Sequence, residues 1–180
     1  MRNLKKKRQI IRRAALLCTL ALILAGPAAC GYQFSGGGEL RGGIERLSIS
    51  FFKNQTGETG IEAIVTNDIV NQFTRYETVQ LVDKASAEAI LSGVIRSAQI
   101  RTISHTSPNQ AAERRITLHL EVRLETADGR LIWSTRDISA SDSYDVAPEK
   151  RRTEQNKKSA LASASQRLAE RIYYRLTDEF

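Results

Sequence analysis

The sequence is short of the residues that do chemistry. It holds two cysteines and two histidines in 180 residues. His105 and His119 make no zinc-type spacing with either cysteine. No nucleophile lies at a recognisable spacing from them, and no acid/base pair stands out. His119 falls in a row of polar residues and reads as a solvated strand histidine, while His105 sits in a Ser/Thr/Pro stretch. The glycines at 36–38 and 42–43 lack the strand–glycine–helix setting of a phosphate loop. The expectation is a protein that is not an enzyme and takes no metal or cofactor. Long apolar runs are also scarce. Residues 14–25 (AALLCTLALILA) fall short of the roughly 20 apolar residues that span a bilayer.

That run nevertheless has a context. Arg2, Lys5, Lys6, Lys7, Arg8, Arg12 and Arg13 precede it with no acid among them, and Gly26-Pro27-Ala28-Ala29 follow it. A cationic start, an apolar middle and a small-residue end make a secretory signal, so residues 1–29 are expected to be a signal peptide. Its removal changes the charge. The chain has 27 Lys+Arg against 20 Asp+Glu, and all seven of the excess cations lie in the signal. The remainder is near neutral, which excludes a nucleic-acid-binding domain.

Cys18 leaves with the signal, and Cys30 remains alone at the expected cleavage point. It has no intramolecular partner. A free thiol in an oxidising compartment is a liability, and acylation removes it. Lipoprotein signals are cut just before a cysteine, whose sulfur takes diacylglycerol and whose amine takes a further chain such as palmitate. Two or more chains anchor stably where one does not. Ala28 and Ala29 fit that pattern; Pro27 stands where Leu is usual. Cys30 is therefore the expected lipidation site.

The rest divides simply. Residues 30–43 read as a lipidated N-terminus and flexible tether, with five glycines in SGGGELRGG. Residues 44–180 read as one domain. Leu47–Phe51 alternates apolar and polar, as a strand does. Thr59-Gly60-Ile61-Glu62 is a capping-box sequence with Thr59 as N-cap, and opens an amphipathic helix over about 60–76. Val79–Val82 suits a short strand and Ala89 to about Ile103 a long one. A polar loop is expected over 104–112. Ile116, Leu118, Leu120, Val122 and Leu124 alternate with polar neighbours, and Asp128-Gly129 is a hairpin turn. A partner strand runs from Leu131 to about Ser139, and a Ser/Asp/Pro loop over 140–149 follows. The last helix, from about Thr153 to Thr177, carries a stripe of Leu161, Ala164, Leu168, Ile172 and Leu176. The economical fold is an α/β two-layer, a four-stranded mixed sheet with two helices packed on one face.

Two basic clusters remain. Arg114-Arg115 opens the alternating strand, and Lys150-Arg151-Arg152 precedes the last helix with Lys157-Lys158 just beyond. Cations at a helix N-terminus oppose the macrodipole by a few tenths of a kcal/mol each. Either that helix starts later and these residues are solvated, or they bind an anionic headgroup, with Arg96 and Arg101 adding to the site. The row Arg115, Thr117, His119, Glu121, Arg123, Glu125 faces either water or a hydrophilic protein lumen.

Cys30-Gly31-Tyr32-Gln33-Phe34, then strand and helix, then Ala89-Ile90-Leu91-Ser92-Gly93-Val94-Ile95, the alternating strand, Trp133 and Leu168-Ala169-Glu170-Arg171-Ile172-Tyr173 together resemble the LptE family of lipopolysaccharide-assembly lipoproteins. The resemblance covers essentially residues 30–180. It implies an outer-membrane lipoprotein that plugs the LptD-type β-barrel one-to-one, helps it assemble and binds lipopolysaccharide. Such a protein faces the periplasm and the barrel lumen. It implies that basic residues between the two long strands and before the last helix contact lipopolysaccharide. Here those are Arg101, Arg114, Arg115, Lys150 and Arg151. Gly31 after the cysteine, where Asp would signal inner-membrane retention, fits outer-membrane sorting. The competing reading is a periplasm-facing lipoprotein scaffold of another envelope assembly.

Overall fold

Alternation along Ile116–Leu124 builds the centre of a sheet whose apolar side must be covered. The computed structural model describes residues 39–177 except Pro108 and Asn109. Cys30 and the expected signal lie outside the described residues. The elements are β1 (Arg46–Ile49), β2 (Lys53–Asn54), α1 (Ile61–Tyr76), β3 (Gln80–Leu81), a 3-10 turn (Lys84–Ser86), β4 (Ala89–Ser107), β5 (Gln110–Thr126), β6 (Leu131–Asp145) and α2 (Lys150–Thr177).

The two-layer α/β architecture is as expected, but the sheet has six strands rather than four. The order is β3-β1-β4-β5-β6, with β2 pairing with β4 beyond the end of β1. β3 falls within the short strand expected at Val79–Val82, while β2 is two residues long and leaves no periodic signal. β1 runs parallel to β3 and β4, while β4, β5 and β6 form an antiparallel meander.

Leu91, Ile95, Ile116, Leu118, Leu120, Val122, Leu124, Ile138 and Ala140 face the helices and are buried. Upon them α2 lays Ala164, Leu168, Ile172 and Leu176, each fully excluded from water. A buried Leu or Ile contributes about 1.5–3 kcal/mol, so this stripe fixes the helix. From α1, Ile61, Val65, Ile69 and Phe73 are buried, but Ile64 and Tyr76 stay partly exposed. The two helices run parallel. Lys157 meets Glu58 at one end, and Tyr173 meets Phe73 and Tyr76 at the other.

Three local expectations are corrected. The N-cap of α1 is Gly60 at φ 83°, with no side-chain cap, and Glu62 instead accepts a hydrogen bond from Asn54 Nδ2 at 2.8 Å. The loops expected over 104–112 and 140–149 are mostly strand, because β5 supplies a ladder to both neighbours. α2 starts at Lys150, three residues early. The Thr153 hydroxyl binds back to Ala147, accepting from its N–H and donating to its C=O, each at 3.0 Å. Order also begins before Ile44: Leu40 is buried and Gly43 N–H closes a turn onto its carbonyl at 3.0 Å.

β6 is an edge strand, and α2 guards it. Arg167 Nη1 donates to the carbonyl of Ser141 at 2.6 Å, and Arg171 Nη1 donates to the carbonyl of Ser139. Edge carbonyls left free invite pairing with another chain.

Candidate functional site

The other side of the sheet carries no helix. Strand alternation puts Arg115, Thr117, His119, Glu121 and Arg123 of β5 there, as the sequence indicates. Register brings Gln99 opposite Thr117 and Ser97 opposite His119 from β4, and Ser143, Ser141 and Ser139 opposite Arg115, Thr117 and His119 from β6. The result is a largely polar plate three strands wide, with Ile90 and Val94 opposite Glu125 and Glu121 and Ile103 near Arg101 as its apolar members.

Charge is distributed unevenly along it. Towards the β5–β6 turn, Glu121 binds Arg96 and also Arg123, the latter at 3.1 Å. The hydrogen bond from Arg96, aided by Arg123, holds the Glu121 carboxyl below the usual glutamate range. In the middle, His119 Nδ1 lies 2.8 Å from Asp137 Oδ1. Towards the β4–β5 hairpin, Arg101 and Arg115 are directly opposite each other in the ladder. Like charges so placed repel. Among the described residues no carboxylate pairs with either. They line an open depression of about 590 Å³ together with Gln99, Thr117, His119 and Ser141. An anion held there would relieve the repulsion, and guanidinium groups match phosphate oxygens bidentately.

The five expected cations gather at one end of the fold but not on one face. Arg101 and Arg115 lie on the helix-free plate. Arg114 faces the helix side beside Tyr144, its partner in the ladder, which is 5% exposed. Lys150 and Arg151 are exposed on the first turn of α2 and, like Arg114, have no carboxylate partner among the described residues. Lys157, grouped with them by sequence, is instead held by Glu58 at 2.6 Å. The opposed pair was hidden in the sequence because it depends on β4–β5 register across several bulges.

The described residues contain no cluster of His, Cys, Asp and Glu able to hold a metal ion, and no helix long and apolar enough to cross a membrane.

Comparison with known proteins narrows the reading. None of the curated proteins compared matches the sequence. Solved structures of the same fold include uncharacterized lipoprotein B from Nitrosomonas europaea. It is 18% identical, with a TM-score of 0.58 over 82% of this chain and 90% of that one. Rare lipoprotein B from Shewanella oneidensis is 16% identical, with a TM-score of 0.50 over 73% and 92%. The hypothetical protein CT253 from Chlamydia trachomatis is 12% identical, with a TM-score of 0.53 over 74% and 96%. These likenesses show the fold. The family described as LptE, lipopolysaccharide-assembly, matches residues 44–176, nearly the whole described domain. The chain belongs to the LptE lipopolysaccharide-assembly family.

Proposed function

We propose that this protein is a non-catalytic outer-membrane lipoprotein, anchored through Cys30, that binds lipopolysaccharide and plugs an LptD-type β-barrel in a one-to-one complex. The observation that carries the reading is the helix-free sheet face. Its β5 row from Arg115 to Glu125 is polar at every outward position, and Arg101 and Arg115 oppose each other on it with no carboxylate partner among the described residues. A plug needs such a surface, because the interior of a large outer-membrane barrel is polar and wet. A lipid A phosphate is the kind of anion an arginine pair accepts. Arg114, Lys150 and Arg151 extend the same end of the domain toward the anionic core sugars.

The test has two arms. The tagged chain, purified from detergent-solubilised envelopes, is expected to bring one large β-barrel with it in equal amount; its absence rejects the plug. Lipopolysaccharide binding is then compared between Arg101→Glu/Arg115→Glu and Lys150→Glu/Arg151→Glu. The first pair is expected to lose more affinity, on the order of tenfold, as loss of charge-assisted phosphate contacts would give. Equal binding by both variants and the parent removes the anion site.

A further inference from the structure

At the end of the fold away from the Arg101–Arg115 pair, the C-termini of the two helices meet in an aromatic cluster. Tyr173 is buried, stacks on Tyr76 at 4.7 Å, and meets Phe73 and Tyr174 edge-on at 5.3 and 5.7 Å. Its phenol hydrogen-bonds Thr78. The outer members are different. Tyr76 and Tyr174 are 39% and 46% exposed, with their hydroxyls 3.4 Å apart. Leu131, at the start of β6, is 53% exposed at the same end.

The chain enters the fold beside this patch. Arg41 N–H donates to the carbonyl of Leu176 at 3.0 Å, and its Nε donates to the carbonyl of Arg175 at 2.8 Å. Arg175 is the residue next to Tyr174. In sequence, nine positions separate Cys30 from Glu39. A chain of that length reaches at most about 30 Å. Arg75 and Arg175 stand in the last turns of the two helices, exposed. Tyrosine, with an apolar ring and a polar tip, suits the headgroup boundary of a bilayer, and arginine suits its phosphates.

We infer that Tyr76 and Tyr174 form a lipid-contacting foot, resting in the headgroup region of the leaflet that holds the acylated Cys30. This rests on the reading of Cys30 as the lipid attachment point. Two half-exposed tyrosines bind a membrane weakly in solution. A short tether makes the contact intramolecular, with an effective concentration in the millimolar range, and weak adhesion then suffices. The foot also sets direction. The 28 residues of α2 rise about 42 Å, so the Arg101–Arg115 end is held away from that leaflet.

Among the described residues the buried core runs from Leu40 to Leu176, and the chain from Cys30 onward keeps all of it. Its single thiol, Cys30, is coupled to a maleimide phospholipid in phosphatidylethanolamine/phosphatidylglycerol vesicles containing brominated acyl chains. Anchoring is then assured whatever the native acylation. In a Trp133→Phe background, Tyr174→Trp reports the foot and Thr106→Trp the far hairpin. The Tyr174→Trp emission is expected to fall by about half or more, as for a side chain at the headgroup–acyl boundary, and the Thr106→Trp emission to stay unchanged. An unquenched Tyr174→Trp, or equal quenching at both positions, overturns the foot. Mass spectrometry of the native N-terminus separately tests acylation, so the two failures are distinguishable.

Discussion

Gly93→Ala is the smallest change with a large expected effect. Gly93 lies inside β4, opposite Val122 of β5, with the Phe52 ring packed over it. A Cβ at this position would lie 2.7 Å from Phe52 Cδ1, closer still to Cε1, and 2.8 Å from the carbonyl oxygen of Glu121. Phe52 is fully buried and has nowhere to retreat, and a strand carbonyl cannot swing aside. Overpacking of this kind costs about 1–3 kcal/mol. Reduced freedom of the unfolded chain returns about 0.4–1 kcal/mol. A net loss of about 1–2 kcal/mol should lower the urea midpoint by about 0.5–1 M at the slope usual for a small domain. Phe52→Leu removes the ring but not the carbonyl, and destabilises by lost packing. Combined, the two substitutions should cost less than their sum, by about 0.5 kcal/mol or more. An unchanged midpoint for Gly93→Ala, or strict additivity of the pair, would refute the close approach.

Burial against α2 pushes the Asp68 carboxyl above the usual aspartate range. The ionised form is penalised only in the folded state, so the parent loses stability as pH rises from the ordinary aspartate value through the raised one. Asp68→Asn should therefore be the more stable protein at neutral pH, by less than about 1 kcal/mol since the group is only half-buried, and the gain should vanish in acid; urea midpoints across pH measure it. Arg167→Ala/Arg171→Ala should cost about 1–2 kcal/mol for two exposed charge-assisted bonds. By baring the β6 edge it should also produce concentration-dependent association in sedimentation. Arg115→Glu should leave stability unchanged or raise it by up to about 0.5 kcal/mol, because it faces Arg101, and thermal melts would show this.

Most of the architecture could be read from periodicity. The β5 alternation, the Asp128-Gly129 turn and the α2 stripe each carry a clean signal, and all three stand in the structure. Gly129 has the φ of 89° that such a turn needs. What escaped was structure specified by neighbours rather than by its own residues. Ser104–Ser107 of β4, beyond the expected strand end at Ile103, is polar and mostly exposed, so nothing alternates, yet β5 holds it in register. The Ser/Asp run at 140–145 is strand for the same reason. Gly60 rather than Thr59 is the N-cap of α1, and Glu62, the expected capping-box partner, is engaged by Asn54 instead, a contact eight residues distant in sequence. The cations were visible as residue types. Their division between two faces, and the opposition of Arg101 to Arg115, were not, since register belongs to pairs of strands.

The position of α2 has a consequence for how the molecule is made. The helix that covers β5 and β6 is the last of the described elements in chain order, and its final turn receives the backbone of Arg41, which precedes β1. A growing polypeptide therefore has no lid for the apolar side of its long meander until residue 176 has emerged. Through most of synthesis it presents bare sticky strands, the species most prone to aggregate. Closure of the sheet is thus the final folding event open to this domain, set by the order of its elements.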